Sequence, residues 1–270
     1  MQSIHAFSLA PDVNDWLANS RQARILHVFD HVCNLINERR EVLSIVTPQI
    51  GNGPFNLVVE DDILFSNYLD AQSSISIHAN ELSLGNLIIN TGKAKLWSSR
   101  PDWETLHTNR DNILNQLASL PITQSLVSNL KFSNLTSALV KADIIIALTI
   151  ASQLAGLGNG LTPAGDDFLL GAIYAAWIIH PQEQARAMAE AIARTAIPLT
   201  TSLSAAWLRS AGKGEAGAVW HELFNALELS DESEVKIAVK HLLSIGHTSG
   251  ADMLAGFIGL FMRWKMSLSP

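Results

Sequence analysis

The chain has 270 residues and a formal net charge of −7, with 48% hydrophobic and only 16% charged residues. This length provides one large domain or two modest ones with substantial cores, and the apolar excess predicts extensive burial and a homo-oligomer. Lys and Arg residues are scattered singly, so no basic stripe is available for a nucleic-acid backbone, and we expect no nucleic-acid partner.

Cysteine usage and hydropathy bear on the location of the protein. Cys33 is the only cysteine, so the chain cannot form an internal disulfide and fits a reducing compartment. The segment from Met1 to Pro11 lacks the basic and apolar regions of a signal peptide. The longest apolar runs, 144–150 and 168–179, are shorter than the roughly 20 residues that span a bilayer. We therefore expect a cytoplasmic protein that does not enter membranes.

The first third of the chain has the pattern of a small antiparallel β domain. Short apolar or alternating runs are separated by turn signals such as Gly51-Asn52-Gly53-Pro54. Residues 24–37 fit two interpretations, because their apolar positions are spaced as on a helix, while Asn37-Glu38-Arg39-Arg40 is typical of a turn between strands. Both interpretations stay open. The predicted strands are 42–46, 55–59, 74–78 and 85–89.

After Pro101, alanine and leucine dominate and apolar positions recur every three or four residues, which predicts helices. The expected fold class is α+β, with a small N-terminal antiparallel β domain (1–104) followed by a larger all-α helical domain (105–270). Two stretches, 136–155 and 166–179, are apolar almost all round, as is typical of central helices. The predicted helices are 103–119, 135–155, 165–180, 182–196, 201–212, 215–228, 231–244 and 249–265.

A dense motif, Gly-Asn-Gly-Leu-Thr-Pro-Ala-Gly-Asp-Asp at 158–167, precedes the second of these apolar helices. Its glycines permit positive φ, Thr162 is a suitable N-cap, and acidic residues are favourable in a first turn. A Gly-rich turn that runs into a helix also presents free N–H groups to an anion, but the two aspartates would repel an anion unless a metal or a basic group intervened. Helix capping and a ligand site both stay open.

A second motif repeats the first. The stretches 165–173 and 250–258 both read Gly-x-Asp-x-Leu-x-Gly-x-Ile, which pairs Asp167 with Asp252, while Asp166 has no counterpart. If the stretches are a duplicated unit, the second glycine of each lets the two helices cross closely, and the paired aspartates begin those helices side by side. We therefore expect Asp167 to be the functional residue and Asp166 to be a charge at a helix start.

Three motifs resemble those of a bacterial family that includes a subunit of the anaerobic oxamate (oxalurate) carbamoyltransferase of allantoin degradation, a branch of purine catabolism. The resemblance is specific over about 156–260 and weaker in the N-terminal region, where Gly51-x-Gly53-Pro54 is similar. It implies phosphorolysis of oxalurate to oxamate and carbamoyl phosphate, or the reverse transfer, together with other subunits. The motifs are Gly158-x-Gly160-Leu161-Thr162-Pro163-x-Gly165-Asp166-Asp167, Thr200-Thr201-x-x-Ser204 and Gly246-His247-Thr248-Ser249-Gly250-x-Asp252-x-Leu254-x-Gly256.

The leading hypothesis is a carbamoyltransferase subunit that binds a small anionic ureido or amide compound where the turns at 158–167 and 246–252 meet. Helix-start N–H groups would hold an anion or an oxyanion, and the paired aspartates would orient a substrate N–H group or hold a divalent cation that offsets their charge. The expected catalytic residues are His247, Asp167 and Asp252. The expected substrate-binding residues are Gly158, Asn159, Gly160, Thr162, Thr200, Thr201, Ser204, Thr248 and Ser249.

Two alternatives stay open. The first is a stand-alone Mg²⁺-dependent hydrolase in which Asp166, Asp167 and Asp252 hold the metal ion and a bound water is the nucleophile. The second is a non-catalytic scaffold or regulatory subunit whose glycines serve helix packing alone, and it predicts a filled junction between the two turns. The sequence establishes no cofactor, and Mg²⁺ is the candidate that both the leading hypothesis and the hydrolase alternative allow.

Overall fold

A computed structural model describes residues 2–123 and 133–268 of the chain. The chain divides into two compact units, Met1–Ser99 and Arg100–Pro270. The first unit is a strand-rich sheet and the second is helical, so the predicted α+β fold class is confirmed.

The sheet of the first unit is mixed and nearly closes into a barrel. Its strands follow the order β2-β3-β4-β5-β1-β8-β7-β6, with β9 beside β1, and the outer strands β2 and β6 contact each other. Three pairs, β4–β5, β1–β8 and β1–β9, are parallel, while the other pairs are antiparallel. The strands are β1 (Gln2–Leu9), β2 (Ala23–Val28), β3 (Val32–Asn37), β4 (Val42–Val46), β5 (Asn56–Val59), β6 (Ile75–His78), β7 (Glu81–Leu84), β8 (Leu87–Asn90) and β9 (Lys95–Leu96).

The first strand joins the two halves of this sheet. Residues Gln2 to His5 pair with β8, and the strand then passes a bulge between Ala6 and Ser8 and pairs with β5. Such a bulge bends and twists a strand, and this one lies within the part of β1 that pairs with β5. Helix α1 (Pro11–Asn19) follows and begins with a proline in its first turn, where the missing N–H group costs nothing.

Residues 24–37, which the sequence allowed to be either a helix or two strands, form the β2–β3 hairpin. On β3, Cys33 and Leu35 belong to the apolar core, while the Ser44 hydroxyl on β4 donates a 2.6 Å hydrogen bond to Asn34. The helix-like spacing is therefore incidental, because alternate side chains of the segment face opposite sides of a sheet. Burial raises the pKa of the Cys33 thiol to about 12, so this cysteine is chemically inert.

The second unit is built from helices around one apolar core. Three of the described helices, α6, α7 and α11, have 15 or more residues. Every residue of α6 from Gly165 to its end is buried. The helices are α2 (Trp103–Thr108), α3 (Arg110–Ser119), α4 (Ser133–Val140), α5 (Ile144–Leu154), α6 (Ala164–Ile179), α7 (Gln182–Ala196), α8 (Ser202–Gly212), α9 (Ala218–Leu229), α10 (Glu232–Leu243) and α11 (Ser249–Leu268).

The expectation of a single apolar helix over 136–155 is wrong. Ala142 adopts a positive φ of 53°, and the Asp143 carboxylate caps a new helix by accepting a hydrogen bond from the Ile146 N–H group. The resulting helix α5 exposes Ile145 (77%) and Ile146 (51%), so it is not central. By contrast, the expectation that 166–179 is a central helix is confirmed.

Buried aromatic side chains of α2 and α6 bond to the end of α8 and the turn that follows it. The Trp103 indole N–H donates to the Gly214 carbonyl at 2.7 Å, and the Trp177 indole N–H donates to the Ala211 carbonyl at 2.9 Å. The Tyr174 hydroxyl donates to the Glu215 carbonyl at 2.9 Å. These bonds satisfy the polar atoms of large apolar rings, and they hold the helix that carries the first motif.

Candidate functional site

The two repeated motifs begin helices that cross with their backbones in contact. A methyl group added at Gly171 on α6 would collide with the Met253 carbonyl, and one added at Gly256 on α11 would collide with the Phe168 carbonyl. The two contacts are reciprocal, because the motif alignment that pairs the two glycines also pairs Phe168 with Met253. The predicted close crossing is therefore confirmed.

The first glycine of each motif has an equivalent role. A methyl group at Gly165 would collide with the Leu154 carbonyl at the end of α5, and one at Gly250 would collide with the Leu242 carbonyl near the end of α10. Each motif helix is thus packed at its start against the end of the preceding helix and one and a half turns later against the other motif helix. This equivalence supports a duplicated helical hairpin.

The turn before α6 needs glycine for its conformation as well as its packing. Gly156 has a φ of 73° and lies against the Leu199 carbonyl, whereas Gly158 has a φ of 125° and lies against the Ala164 N–H group. Gly160 has a φ of 99° but faces open space. Close backbone approach therefore matters at the first two positions, and left-handed geometry alone matters at the third.

Thr162 does not cap α6, contrary to the sequence-based expectation. Pro163 occupies the N-cap position, and no side chain caps the helix start. The Thr162 and Ser249 hydroxyls instead share a hydrogen bond of 3.0 Å. This bond links the start of α6 to the start of α11, and the helix begins one residue later than the capping pattern predicted.

Asp166 joins three segments of the chain. Its carboxylate accepts a 3.0 Å hydrogen bond from the Gly156 N–H group and another from the Thr200 hydroxyl. Burial raises the pKa of Asp166, while the bonds from Thr200 and Gly156 and the nearby Ser204 hydroxyl lower it. Asp166 is more than a favourable charge at a helix start, because it fixes the turn before α6 against the turn before α8.

Asp167 lies beside Asp252 at the crossing. It is only 5% exposed, and its Oδ2 atom makes no hydrogen bond with any described residue. Burial raises the pKa of Asp167 to about 7, and the negative charges of Asp252 and Asp166 raise it further. The Ser249 and Thr162 hydroxyls lie close enough to lower this pKa, so both motifs surround one carboxyl group.

The third predicted helix start joins the same cluster. Thr201 caps α8 by accepting a 3.1 Å hydrogen bond from the Ser204 N–H group, and its hydroxyl donates a 2.6 Å bond to the Leu161 carbonyl. The Ser204 side chain is 2% exposed, and its hydroxyl lies near Asp166 without the geometry of a hydrogen bond. Thr201 thus caps α8 and also bonds the start of this helix to the first motif.

Other expected site residues lie at the rim or outside the cluster. His247 and Thr248 are exposed in the turn before α11, and over residues 2–123 and 133–268 the His247 side chain makes no hydrogen bond or ion pair. The residues Gly158, Asn159 and Gly160 form an exposed turn. The structure thus brings together Thr162, Asp166, Asp167, Thr200, Thr201, Ser204, Ser249 and Asp252.

The described part of the chain contains no group of three or more His, Cys, Asp or Glu side chains arranged to hold a metal ion. The Asp166 carboxylate instead bonds to Gly156 and Thr200. As placed here, Asp166, Asp167 and Asp252 do not form the metal site of the hydrolase alternative. Sequence reasoning did not include Gly156 among the site residues, although its N–H group donates a hydrogen bond to the Asp166 carboxylate. Only the position of Gly156 at the end of an apolar helix could have suggested this role.

The fold and the cluster define an α+β protein in which paired Gly/Asp motifs gather polar side chains at crossing helix starts. Residues 154–261 match the family model described as oxamate carbamoyltransferase subunit AllH, and residues 5–96 match the AllH family N-terminal domain. The chain belongs to this AllH family, so the predicted resemblance is confirmed and extends to the first unit.

No solved structure matches the chain. Among the described helices, none has the length and apolar character that a bilayer span requires.

Proposed function

We propose that the cluster around Asp167 binds the small anionic ureido or amide substrate of a carbamoyltransferase, within an enzyme that contains other subunits. The family description names a subunit of oxamate carbamoyltransferase. The observation that carries the proposal is the Asp167 carboxyl group, which is 5% exposed and has an unbonded oxygen between two helix starts. Buried polar atoms are nearly always bonded in native proteins, so an unbonded one suggests a missing partner.

The reaction is the phosphorolysis of oxalurate. An oxygen atom of phosphate attacks the carbamoyl carbon, the bond between this carbon and the inner nitrogen breaks, and the nitrogen takes up a proton to give oxamate. Carbamoyl phosphate is the second product. The reaction therefore needs sites for two anions, stabilisation of a developing oxyanion and a proton donor for the leaving nitrogen.

The residues of the cluster can be assigned to these needs. The N–H groups at the starts of α8 and α11 and the hydroxyl of Ser249 hold the anionic parts of the substrates. The Thr200 and Thr201 hydroxyls, which were also expected to bind substrate, instead donate to Asp166 and to the Leu161 carbonyl. Asp167 and Asp252 orient the nitrogen-bearing end. His247 is exposed in the adjoining turn, where it can deliver a proton once the substrate and the other subunits are present.

Ligand-dependent thermal unfolding tests the proposal. The full chain, alone and assembled with the other subunits, is heated with oxalurate, oxamate, carbamoyl phosphate or Mg²⁺. A ligand at 100 times its Kd adds about 2.7 kcal/mol to the free energy of unfolding. We expect stabilisation by the three organic ligands, and a smaller effect in Ser249→Ala. The matched control is Ser244→Ala, because the exposed Ser244 hydroxyl bonds only to the His241 carbonyl, at 2.6 Å.

The alternatives give different results. If no organic ligand stabilises either the chain or the assembled enzyme, the substrate site is rejected and the scaffold alternative is favoured. Stabilisation by Mg²⁺ alone would favour the hydrolase. The cytoplasmic location and the homo-oligomer stay predictions, which subcellular fractionation and light scattering can check.

A further inference from the structure

Two buried polar atoms in the cluster lack partners. Among the described residues, neither the Asp167 Oδ2 atom nor the Ser204 hydroxyl makes a hydrogen bond, although the two side chains are only 5% and 2% exposed. Each such atom destabilises a folded protein unless something bonds to it. The unbonded Asp167 oxygen, which lies among residues of both motifs, therefore indicates a polar ligand there. The Ser204 hydroxyl is a second unbonded atom of the cluster, on the side of Asp166.

The charges around Asp167 are all negative. Asp252 on α11 and Asp166 on its own helix are the charged groups that act on it, and no Lys, Arg or His within the described ranges forms an ion pair with it. His247 before α11 is exposed and does not pair with it. The helix backbones are in contact at Gly171 and Gly256, so the carboxyl groups at the starts of the two helices lie near each other. The repulsion is therefore relieved when Asp167 keeps a proton.

A protonated carboxyl group presents an O–H donor and a carbonyl acceptor in one plane. A carbamoyl or primary amide group, –CO–NH2, presents the matching carbonyl acceptor and N–H donor, so the two groups can form a pair of hydrogen bonds. A carboxylate or phosphate has no donor and would be repelled by Asp252. The cluster is thus complementary to the neutral end of a substrate.

We propose that Asp167, in its protonated form, determines specificity by binding the terminal –CO–NH2 group of the ligand through two hydrogen bonds, while the anionic end lies toward the helix starts. Oxalurate presents this group at its carbamoyl end, and oxamate presents it as its amide. This inference rests on the proposed function. The Thr162 and Ser249 hydroxyls, which bond to each other at 3.0 Å, border the Asp167 carboxyl group. The ligand enters between them and replaces their mutual bond.

Oxamate and pyruvate test this assignment, because pyruvate carries a methyl group where oxamate carries its amide nitrogen. Calorimetry measures the affinity of both ligands for the full chain and the assembled enzyme at pH 6 and pH 8.5. For the unmodified protein we expect oxamate to bind at least about tenfold more tightly than pyruvate at pH 6, since pyruvate leaves a buried polar group unbonded. This preference should fall toward one above about pH 7, because ionisation of Asp167 removes the form that matches the amide.

Two variants separate recognition from a structural role. Asp167→Asn keeps one donor and one acceptor without a titrating proton, so it should retain the oxamate preference at pH 8.5. Asp167→Leu should lose the preference at both pH values. Asp111→Asn, on an exposed residue of α3, is the matched control and should behave like the unmodified protein.

The inference is overturned if oxamate and pyruvate bind equally, if the preference is independent of pH in the unmodified protein, or if Asp167→Asn abolishes it. Oxamate binding that strengthens from pH 6 to pH 8.5 would also overturn it, because the ionised form of Asp167 would then be the one that binds. If oxamate and the other substrates do not bind at all, the proposed function fails first. Binding of oxamate without discrimination from pyruvate rejects only the role of Asp167.

Discussion

Adjacent aspartates at the start of α6 have different roles because they face different neighbours. Asp166 bonds to Gly156 and Thr200, whereas Asp167 faces Asp252 and the hydroxyls of α11 and the preceding turn. Successive helix positions point about 100° apart, so two carboxyl groups in sequence can serve separate purposes. The repeated motif predicted that Asp167 and not Asp166 is the functional residue. The motif gave no indication of the hydrogen bonds that Asp166 makes.

Asp166→Ala should destabilise the second unit by about 2–4 kcal/mol, because it leaves the Gly156 N–H group and the Thr200 hydroxyl without their partner. Asp102→Ala is the matched control, since the Asp102 carboxylate caps α2 with a 3.1 Å bond from the Thr105 N–H group. Loss of that cap should cost only about 1 kcal/mol. Urea unfolding of both variants measures the difference. Equal losses would show that the bonds of Asp166 do no more than cap a helix.

The pKa of Asp167 predicts a pH-dependent effect of Asp167→Asn on stability. Because the folded-state pKa is raised to about 7, the folded protein binds more protons than the unfolded chain between about pH 4 and pH 7. The free energy of unfolding of the unmodified protein therefore decreases over this range, by up to about 4 kcal/mol from this group. The asparagine variant lacks this decrease.

Urea unfolding at pH 4.5 and pH 8 checks the prediction. The stability of the asparagine variant relative to the unmodified protein should rise toward pH 8, while Asp111→Asn, which changes an exposed carboxylate, should show no such trend. A constant difference across the two pH values would mean that Asp167 is ionised in the folded protein throughout the range.

At the scale of secondary structure, the pair α6 and α11 determines where the cluster forms. Their crossing depends on a glycine in each helix that meets the backbone of the other. This part of the site could be predicted, because the glycine and aspartate spacings recur in the sequence. The Thr162–Ser249 bond and the bonds of Asp166 could not be predicted, because they depend on how turns far apart in sequence pack against each other.

Gly171→Ala should be strongly destabilising, by more than about 3 kcal/mol, because the added methyl group overlaps a backbone carbonyl in a fully packed core. The control is Gly160→Ala, where nothing lies within 4 Å of the added carbon and only the positive φ adds about 1 kcal/mol. Thermal unfolding of the two variants compares the effects. A mild Gly171→Ala variant would show that α6 and α11 do not cross as closely as described.

At the scale of the whole molecule, the division into a strand-rich part and a helical part could be predicted from the sequence, whereas the order and direction of the strands in the sheet could not. Alternating residues and turn signals located β4, β5, β6 and β8. Nothing local in those segments indicates that β4 and β5 are parallel, because strand direction depends on the path of the connecting loop. Similarly, apolar composition did not distinguish α6, which is buried, from α5, which exposes two isoleucines.

The bond between Thr162 and Ser249 joins residues 87 positions apart, and this has a consequence for synthesis of the protein. While the ribosome has made only the first motif, the Asp167 carboxyl group has neither Asp252 nor Ser249 beside it. It is then an ordinary solvated acid that ionises near pH 4. The unusual proton affinity of the cluster arises only after α11 docks, so the titration of this one carboxyl group reports completion of the helical unit.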